Sequence, residues 1–478
     1  MIGQEDADDG ESILAAVASF TSMRRILDSV SEDMTVLHTV ENIIFPCLLH
    51  SLTADGLDSI EEGIDCITLI LYHGYKRPEK GAQAAPTGIA DQMWTLYPQL
   101  LYVCAGADGD ADGGFGFEYV TPIVIALKNY ISQDPEGMLK VQEGQGKTRL
   151  ELLSHFIARC LKVSHNSSDG LDGVAIMNLL IAILENMQGR VDHALPGIIE
   201  VIVNELDWVN SKEKGYKNYR LMVLQALSMC FTYNSALTFD VLESRGMTLP
   251  VCGAWLKVMN QFKTDYELRR NIFGLSSIIT CPKIPAAVTA QLPGLVNQVA
   301  LLAIKMESER LDTLKDNEEH VAKGGVESDS DDEDEGDDGQ IQEGDDVVSD
   351  DDDAAWDQTK KIFTKLGPKL GAGESLTQAE MDEFGLDDYG DDDSDFELDG
   401  QDDTLYDAAM DEVDELEFLR DTLTRVSQAD PAALTGLMAG IAPEQRAKFE
   451  TLLAGVATLV QRESDVTARV RALEAAKK

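Results

Sequence analysis

The chain has 478 residues, 44% of them hydrophobic, and carries a formal net charge of −47 from 86 acidic and 39 basic residues. That length allows several cores or one elongated repeat array. A charge this negative, with no stripe of Lys and Arg interleaved with aromatics, excludes phosphate-gripping nucleic-acid binding and disfavours anionic membrane surfaces.

Residues 1–10 are acidic and read as a non-helical leader, not a signal or transit peptide. From residue 11 to 315 the chain reads as helix after helix. Apolar residues recur at three- and four-residue spacing in Ile13, Leu14, Val17 and Phe20, in Ile60, Ile64, Ile67, Ile70 and Leu71, and in Leu221, Leu224, Leu227 and Phe231. That is the period of an amphipathic helix. Turn signals separate these runs at Thr53-Ala-Asp-Gly56, Arg77-Pro78, 164–170 and Gln188-Gly-Arg190, and Ser59-x-x-Glu62 has capping-box spacing. Period-two strand patterns are nearly absent. Grouping the helices in pairs gives units 36–77, 89–132, 147–188, 191–233 and 248–304. A rhythm of about 40–45 residues predicts an all-α fold, a HEAT-repeat or armadillo-like α-solenoid whose pairs bury their apolar faces against their neighbours. An irregular compact helical domain is the alternative that periodicity leaves open.

Within this body several motifs invite a chemical reading. Asp108-Gly-Asp110-Ala-Asp112-Gly113 reproduces the first half of an EF-hand loop, but position 12 is Tyr119, with Glu118 one place early, so only weak calcium binding is conceivable. The loop reads better as a polar connection. Gly114-Phe-Gly-Phe117 is a single FG-like run whose phenylalanines are expected to pack under the turn. Gly144-Gln-Gly146-Lys147-Thr148 resembles the end of a P-loop, yet Val141 stands where the motif needs its first glycine. It reads as a solvent loop before a helix. Seven histidines are dispersed without HxxxH or HExxH, and no nucleophile signature appears, so neither metal nor cofactor nor catalysis is expected. Cys47, Cys66, Cys104, Cys160, Cys230, Cys252 and Cys281 sit singly in apolar runs, which predicts reduced core thiols in an intracellular protein. The longest apolar stretches, 174–184 and 197–203, fall short of the roughly 20 residues of a membrane span.

Residues 316–403 then form an acidic loop. Between 327 and 353 there are sixteen Asp or Glu and no Lys or Arg, and from 327 to 418 there are 37 acidic against 4 basic residues, a net of −33. Such a segment is expected to be disordered, because it repels itself and has little apolar surface to bury. A short basic amphipathic island, 357–370, interrupts it. The natural partner is a Lys/Arg-rich protein surface, bound by charge and multivalency. The candidate cargo-binding acids are Asp329, Asp331, Asp332, Glu333, Asp334, Glu335, Asp350, Asp351, Asp352, Asp353, Asp391, Asp392 and Asp393. Ser328, Ser330 and Ser394 each precede an acidic residue by three positions, which suits acid-directed phosphorylation. The blander reading of the tract is a solubilising linker. Helices return over 404–478: one across 405–426, then Asp430-Pro431 and Ala442-Pro443 each opening another.

Helical pairs, an acidic loop and returning helices resemble the importin-β superfamily. In detail the wording is similar to the C-terminal half of the importin-seven/importin-eight class: Gln92-Met-Trp-Thr-Leu-Tyr-Pro98; Gly116-Phe-Glu-Tyr119 before Pro122 and Asn129-Tyr-Ile131; Leu195-Pro196; Leu224-Gln-Ala-Leu227 with Tyr233-Asn234 and Leu242-Glu243; Trp255; and Arg269-Arg270 before Gly274-Leu275. Leu434, Leu437, Pro443-Glu-Gln-Arg446, Phe449 and Leu452 resemble the closing helices. The resemblance implies a HEAT-repeat nuclear transport receptor shuttling between cytoplasm and nucleus and passing the nuclear envelope. It would carry ribosomal proteins and histones, touch FG nucleoporins, cooperate with importin-β and release cargo to the Ran GTPase. Receptors of this class are about twice as long and hold their main Ran surface in N-terminal repeats, so no Ran contact is carried over. An acidic chaperone for basic proteins and a HEAT-repeat scaffold are the alternative functions.

Overall fold

A computed structural model describes residues 5–75, 88–107, 113–166, 170–212, 216–323 and 405–477. The described residues form no strand; an isolated bridge between Val141 and Thr148 is the nearest approach to one. The helices are α1 (Glu5–Ser29), α2 (Met34–Ser51), α3 (Ile60–Gly74), α4 (Asp91–Ala105), α5 (Val120–Gln133), the single turn α6 (Pro135–Met138), α7 (Arg149–Ser164), α8 (Leu171–Asn186), α9 (Leu195–Asn210) and α10 (Lys217–Ser244). They continue as α11 (Thr248–Lys257), α12 (Asp265–Ile279), the turn α13 (Ala286–Thr289), α14 (Leu292–Ala322), α15 (Glu415–Ala429), α16 (Pro431–Met438) and α17 (Pro443–Lys477).

Two rows emerge from the packing. The helices α1, α3, α5, α8, α10, α12 and α14 each touch the next in that order, forming a row of second helices. The first helices α2, α4, α7 and α9 lie against their partners α3, α5, α8 and α10. This is HEAT-type solenoid packing, in which contacts run only to neighbouring units. The apolar stripe is what makes it work: Ile60, Ile64, Ile67, Ile70 and Leu71 on α3 are all at most 1% exposed. Burying a side chain of that size contributes about 1.5–3 kcal/mol. Close approach matters as much. On α12, a Cβ at Gly274 would sit 2.7 Å from the Ser228 carbonyl oxygen of α10, and the Ser228 hydroxyl donates to the Arg270 carbonyl at 2.7 Å.

Local chemistry sets the helix ends. Asp33 caps α2, Thr148 with Glu151 and Thr264 with Glu267 form capping boxes on α7 and α12, and Asp430 caps α16 ahead of Pro431. The box expected at Ser59 does not form, because the Ser59 hydroxyl donates instead to the Gly56 carbonyl at 3.2 Å. Asn234 breaks α10 with an extended backbone (φ −158°, ψ 89°), and its side-chain oxygen accepts from Leu237 N at 3.1 Å to restart the helix. Helix α1 begins at Glu5, inside the segment expected to be a non-helical leader, and α14 runs on to Ala322, seven residues past the expected end of the body at 315. The predicted helix over 405–426 is also corrected: residues 405–413 form a strap with one 3-10 turn, and α15 starts only where the Asp414 carboxylate accepts from Glu417 N. Phe115, expected under its turn, lies 37% exposed, edge-on to Tyr102. At the C-terminal end α14, α15 and α17 pack together, with Phe449, Leu452 and Val456 at most 1% exposed.

Candidate functional site

The strap 405–413 is the segment that follows the acidic stretch, and it lies along the row of second helices. Asn129 on α5 donates to the Leu405 carbonyl at 2.7 Å. Asn186, at the end of α8, donates to the Tyr406 hydroxyl at 2.8 Å and accepts from Ala409 N at 2.9 Å. The Lys128 ammonium stands 4.0 Å over the Tyr406 ring. From α3, Tyr72 hydrogen-bonds Asp407. On α12 the Arg269 guanidinium donates to the carbonyls of Met410 (2.5 Å) and Val413 (3.2 Å) and pairs with Asp411 at 2.8 Å. Side chains from α5, α8 and α12 thus grip the strap through its backbone, and α3 holds it through the Asp407 side chain.

The floor beneath the strap is polar and buried. Arg270, 8% exposed, donates to Gln225 at 3.0 Å and approaches Glu185 at 3.4 Å. Burial pushes the Glu185 carboxyl up and Arg270 pulls it back. Burial likewise holds the Tyr406 phenol far above its ordinary range, so it stays a neutral hydrogen-bonding group. A cavity of about 20 Å³ remains between Glu185, Arg270, Phe273 and Tyr406, large enough for one water. Beyond the strap, Arg310 on α14 meets Asp414 and Glu415, both at 2.8 Å, and Glu463 on α17. Burial alone would lower the Arg310 pKa, but these three carboxylates raise it. Next to them α15 flanks an open groove of about 520 Å³ lined by Glu412, Asp414, Glu417 and Asp421, with Val413 and Phe418 as its apolar wall. Arg425 also lines the groove, whose carboxylates are already engaged: Asp414 pairs with Arg310, and Glu417 and Asp421 pair with Arg420.

Comparison with curated proteins gives the arrangement its context. The chain is 23% identical over 283 residues to a "Probable importin-7 homolog" of Dictyostelium discoideum, covering 59% of this chain and 24% of that protein. It is 24% identical over 302 residues to an "Importin beta-like SAD2 homolog" of Arabidopsis thaliana (61% and 26%), and 23% identical over 310 residues to "Importin-8" of Homo sapiens (62% and 28%). Its relatives are importins of the importin-7 and importin-8 class, in the importin-β superfamily. The chain spans about a quarter of the length of the curated relatives it matches. No family profile matches it, and no solved structure matches it.

The acids singled out from sequence, Asp329, Asp331–Glu335, Asp350–Asp353 and Asp391–Asp393, lie outside the described residues, as do Ser328, Ser330, Ser394, the basic island 357–370 and the Asp108–Asp112 loop. Residues 144–148 form the loop before a helix that their sequence suggests. Thr148 spends its hydroxyl in the capping box of α7, Lys147 Nζ lies 2.9 Å from His155 Nε2, and Gln142 N donates to the Lys147 carbonyl to close a short hairpin. All seven cysteines are unpaired and six are buried; burial pushes Cys66, Cys160 and Cys252 up to about 12. Among the described residues no helix is long and apolar enough to cross a membrane. Sequence reasoning assigned no role to Lys128, Asn186, Tyr406 or Arg310. Asn129 and Arg269-Arg270 stood out only as marks of family resemblance. Their signal was there: polar residues on helix faces that are otherwise apolar ask for a buried partner.

Proposed function

We propose that this chain is a nuclear transport receptor, or the cargo-binding part of one, that carries Lys/Arg-rich proteins such as ribosomal proteins and histones between cytoplasm and nucleus. The observation that carries the reading is the tethering of a highly acidic stretch to an importin-like row of helices. The chain enters the stretch from α14 and leaves it as a strap fixed to α5, α8 and α12. Asp329, Asp331–Glu335, Asp350–Asp353 and Asp391–Asp393 supply the charge that attracts basic cargo, and phosphorylation of Ser328, Ser330 or Ser394 deepens it. Grip of this type is electrostatic, so it is salt-sensitive and fast to form. FG nucleoporins, Ran in its GTP form and importin-β are the further partners of this reading. The protein acts by binding, without catalysis.

The test is binding of the whole chain to a basic ribosomal protein and to histone dimer at low and high salt, with and without residues 327–403, and with GTP-loaded Ran as competitor. Salt-sensitive binding that needs 327–403 is the expected result. Equal binding by the deleted chain would refute the role of the acids. Binding that needs the acids but ignores Ran would point to an acidic escort for basic proteins, or to the cargo-binding part of a receptor without its release switch.

A further inference from the structure

A solenoid holds its curvature loosely. Each unit touches only its neighbours, so a small change of angle at every interface accumulates along the row. Here α3 packs on α5, α5 on α8, α8 on α10 and α10 on α12, so four interfaces separate α3 from α12. The strap 405–413 ignores that order. Its Leu405 carbonyl is held by Asn129 of α5, and its Tyr406 ring lies under Lys128 of the same helix. Asp407 bonds Tyr72 of α3, Ala409 N donates to Asn186 of α8, and the carbonyls of Met410 and Val413 accept from Arg269 of α12. One short stretch of backbone is therefore fixed to helices four interfaces apart.

The length of that stretch decides what it does. From Asp407 to Met410 the backbone advances three residues, at most about 11 Å when fully extended. Four helix packings at about 8–10 Å each take roughly 32–40 Å along the row. The strap is thus a chord across a longer arc, closed at its ends by the side chains of Tyr72 and Arg269. It has little slack. Ala408 is buried, and the turn that follows is pinned by Ala409 N on Asn186 and by Ala408 N on the Asp411 carboxylate at 2.6 Å. Beyond Val413 the chain runs directly into α15. That helix packs on α12, and Arg310 of α14 holds its start at Asp414 and Glu415. One end of the chord is therefore firmly seated, and the other draws on α3 and α5.

We infer that the strap is a curvature clamp, which fixes the spacing between the units of α3 and α12 whether or not the chain carries cargo. Double electron–electron resonance on the full chain tests it. The background is Cys47→Ser, in which the six remaining cysteines are buried. Nitroxides are placed through Asn42→Cys, exposed on α2 where that helix packs on α3, and Asn260→Cys, exposed just before α12. The expected result is one narrow distance distribution. Inserting six Gly and Ser residues between Asp407 and Ala408 leaves every anchor in place and adds up to about 20 Å of reach. The distribution then broadens, and its mean moves outward by about 5 Å or more, a quarter of that reach. Helicity by circular dichroism stays equal to that of the parent. A distribution that the insertion leaves unchanged, or one already broad in the parent, overturns the inference. Where the insertion lowers helicity, Arg269→Ala decides instead. It frees the α12 end of the strap at unchanged chain length, so broadening supports the clamp and a narrow, unshifted distribution overturns it.

Discussion

Replacing Arg269 by Ala isolates what holds the strap. The guanidinium donates to two strap carbonyls and pairs with Asp411, whose side chain is 39% exposed. A hydrogen bond to a charged group is worth about 1.5–3 kcal/mol and an exposed ion pair about 0.2–1 kcal/mol. Taking the low end for each, because the freed carbonyls regain water, the strap loses about 3 kcal/mol, or roughly 150-fold in its opening equilibrium. The loss is local. Glu415, left 3.7 Å from an absent Arg269, still has Arg310 at 2.8 Å, so α15 stays docked on α14. Amide hydrogen exchange reads this directly: residues 409–413 should exchange about two orders of magnitude faster, while α12 and α15 keep their protection. Unchanged exchange in the strap would refute the role given to Arg269. Loss of protection throughout α12 and α15 would mean that the arginine supports the core and not the strap.

Other perturbations follow from the same geometry. Gly274→Ala, ordinarily favourable in a helix, should destabilise by about 1–3 kcal/mol because its Cβ meets the backbone of Ser228; a denaturant midpoint at or above that of the parent would contradict the packing of α10 on α12. The Tyr233 hydroxyl donates to Asp192 at 2.8 Å and accepts from Val191 N at 2.9 Å, and burial raises it from 10.0 to about 12. Its folded pKa lies above the unfolded one, so its contribution is fully present below pH 10 and is lost as pH rises toward about 12. Tyr233→Phe should flatten the alkaline fall in urea stability over that window, and an unchanged slope would count against the hydrogen bonds. A thiol reagent at neutral pH should find Cys47 quickly and the six buried cysteines only on unfolding; several fast thiols would show that the body opens.

The helix pairs were legible because each one must bury its own apolar stripe, so the period of the stripe is written into the sequence; α2 with α3, α4 with α5 and α7 with α8 fall within three residues of the expected units. What escaped is decided by tertiary partners. Ser59 has the spacing of a cap, but Gly56 lies close enough to take its hydroxyl. Residues 405–413 carry helix-compatible residues, yet Asn129, Asn186 and Arg269 claim their backbone groups, and no local pattern announces that claim. The acids chosen for cargo rest on composition alone, since they lie outside the described residues. Asn129, Asn186 and Arg270, by contrast, are at most 8% exposed and could be suspected from any helix face that breaks its own apolar pattern.

The central claim is transport, and permeabilised cells test it most directly. Fluorescent chain, with a labelled basic ribosomal protein, is added to nuclei depleted of soluble receptors, and both labels are followed with and without residues 327–403. The account predicts that the chain enters nuclei unaided and that cargo follows only when the acidic stretch is present. A chain that stays outside like an inert protein of 52.3 kDa would contradict it.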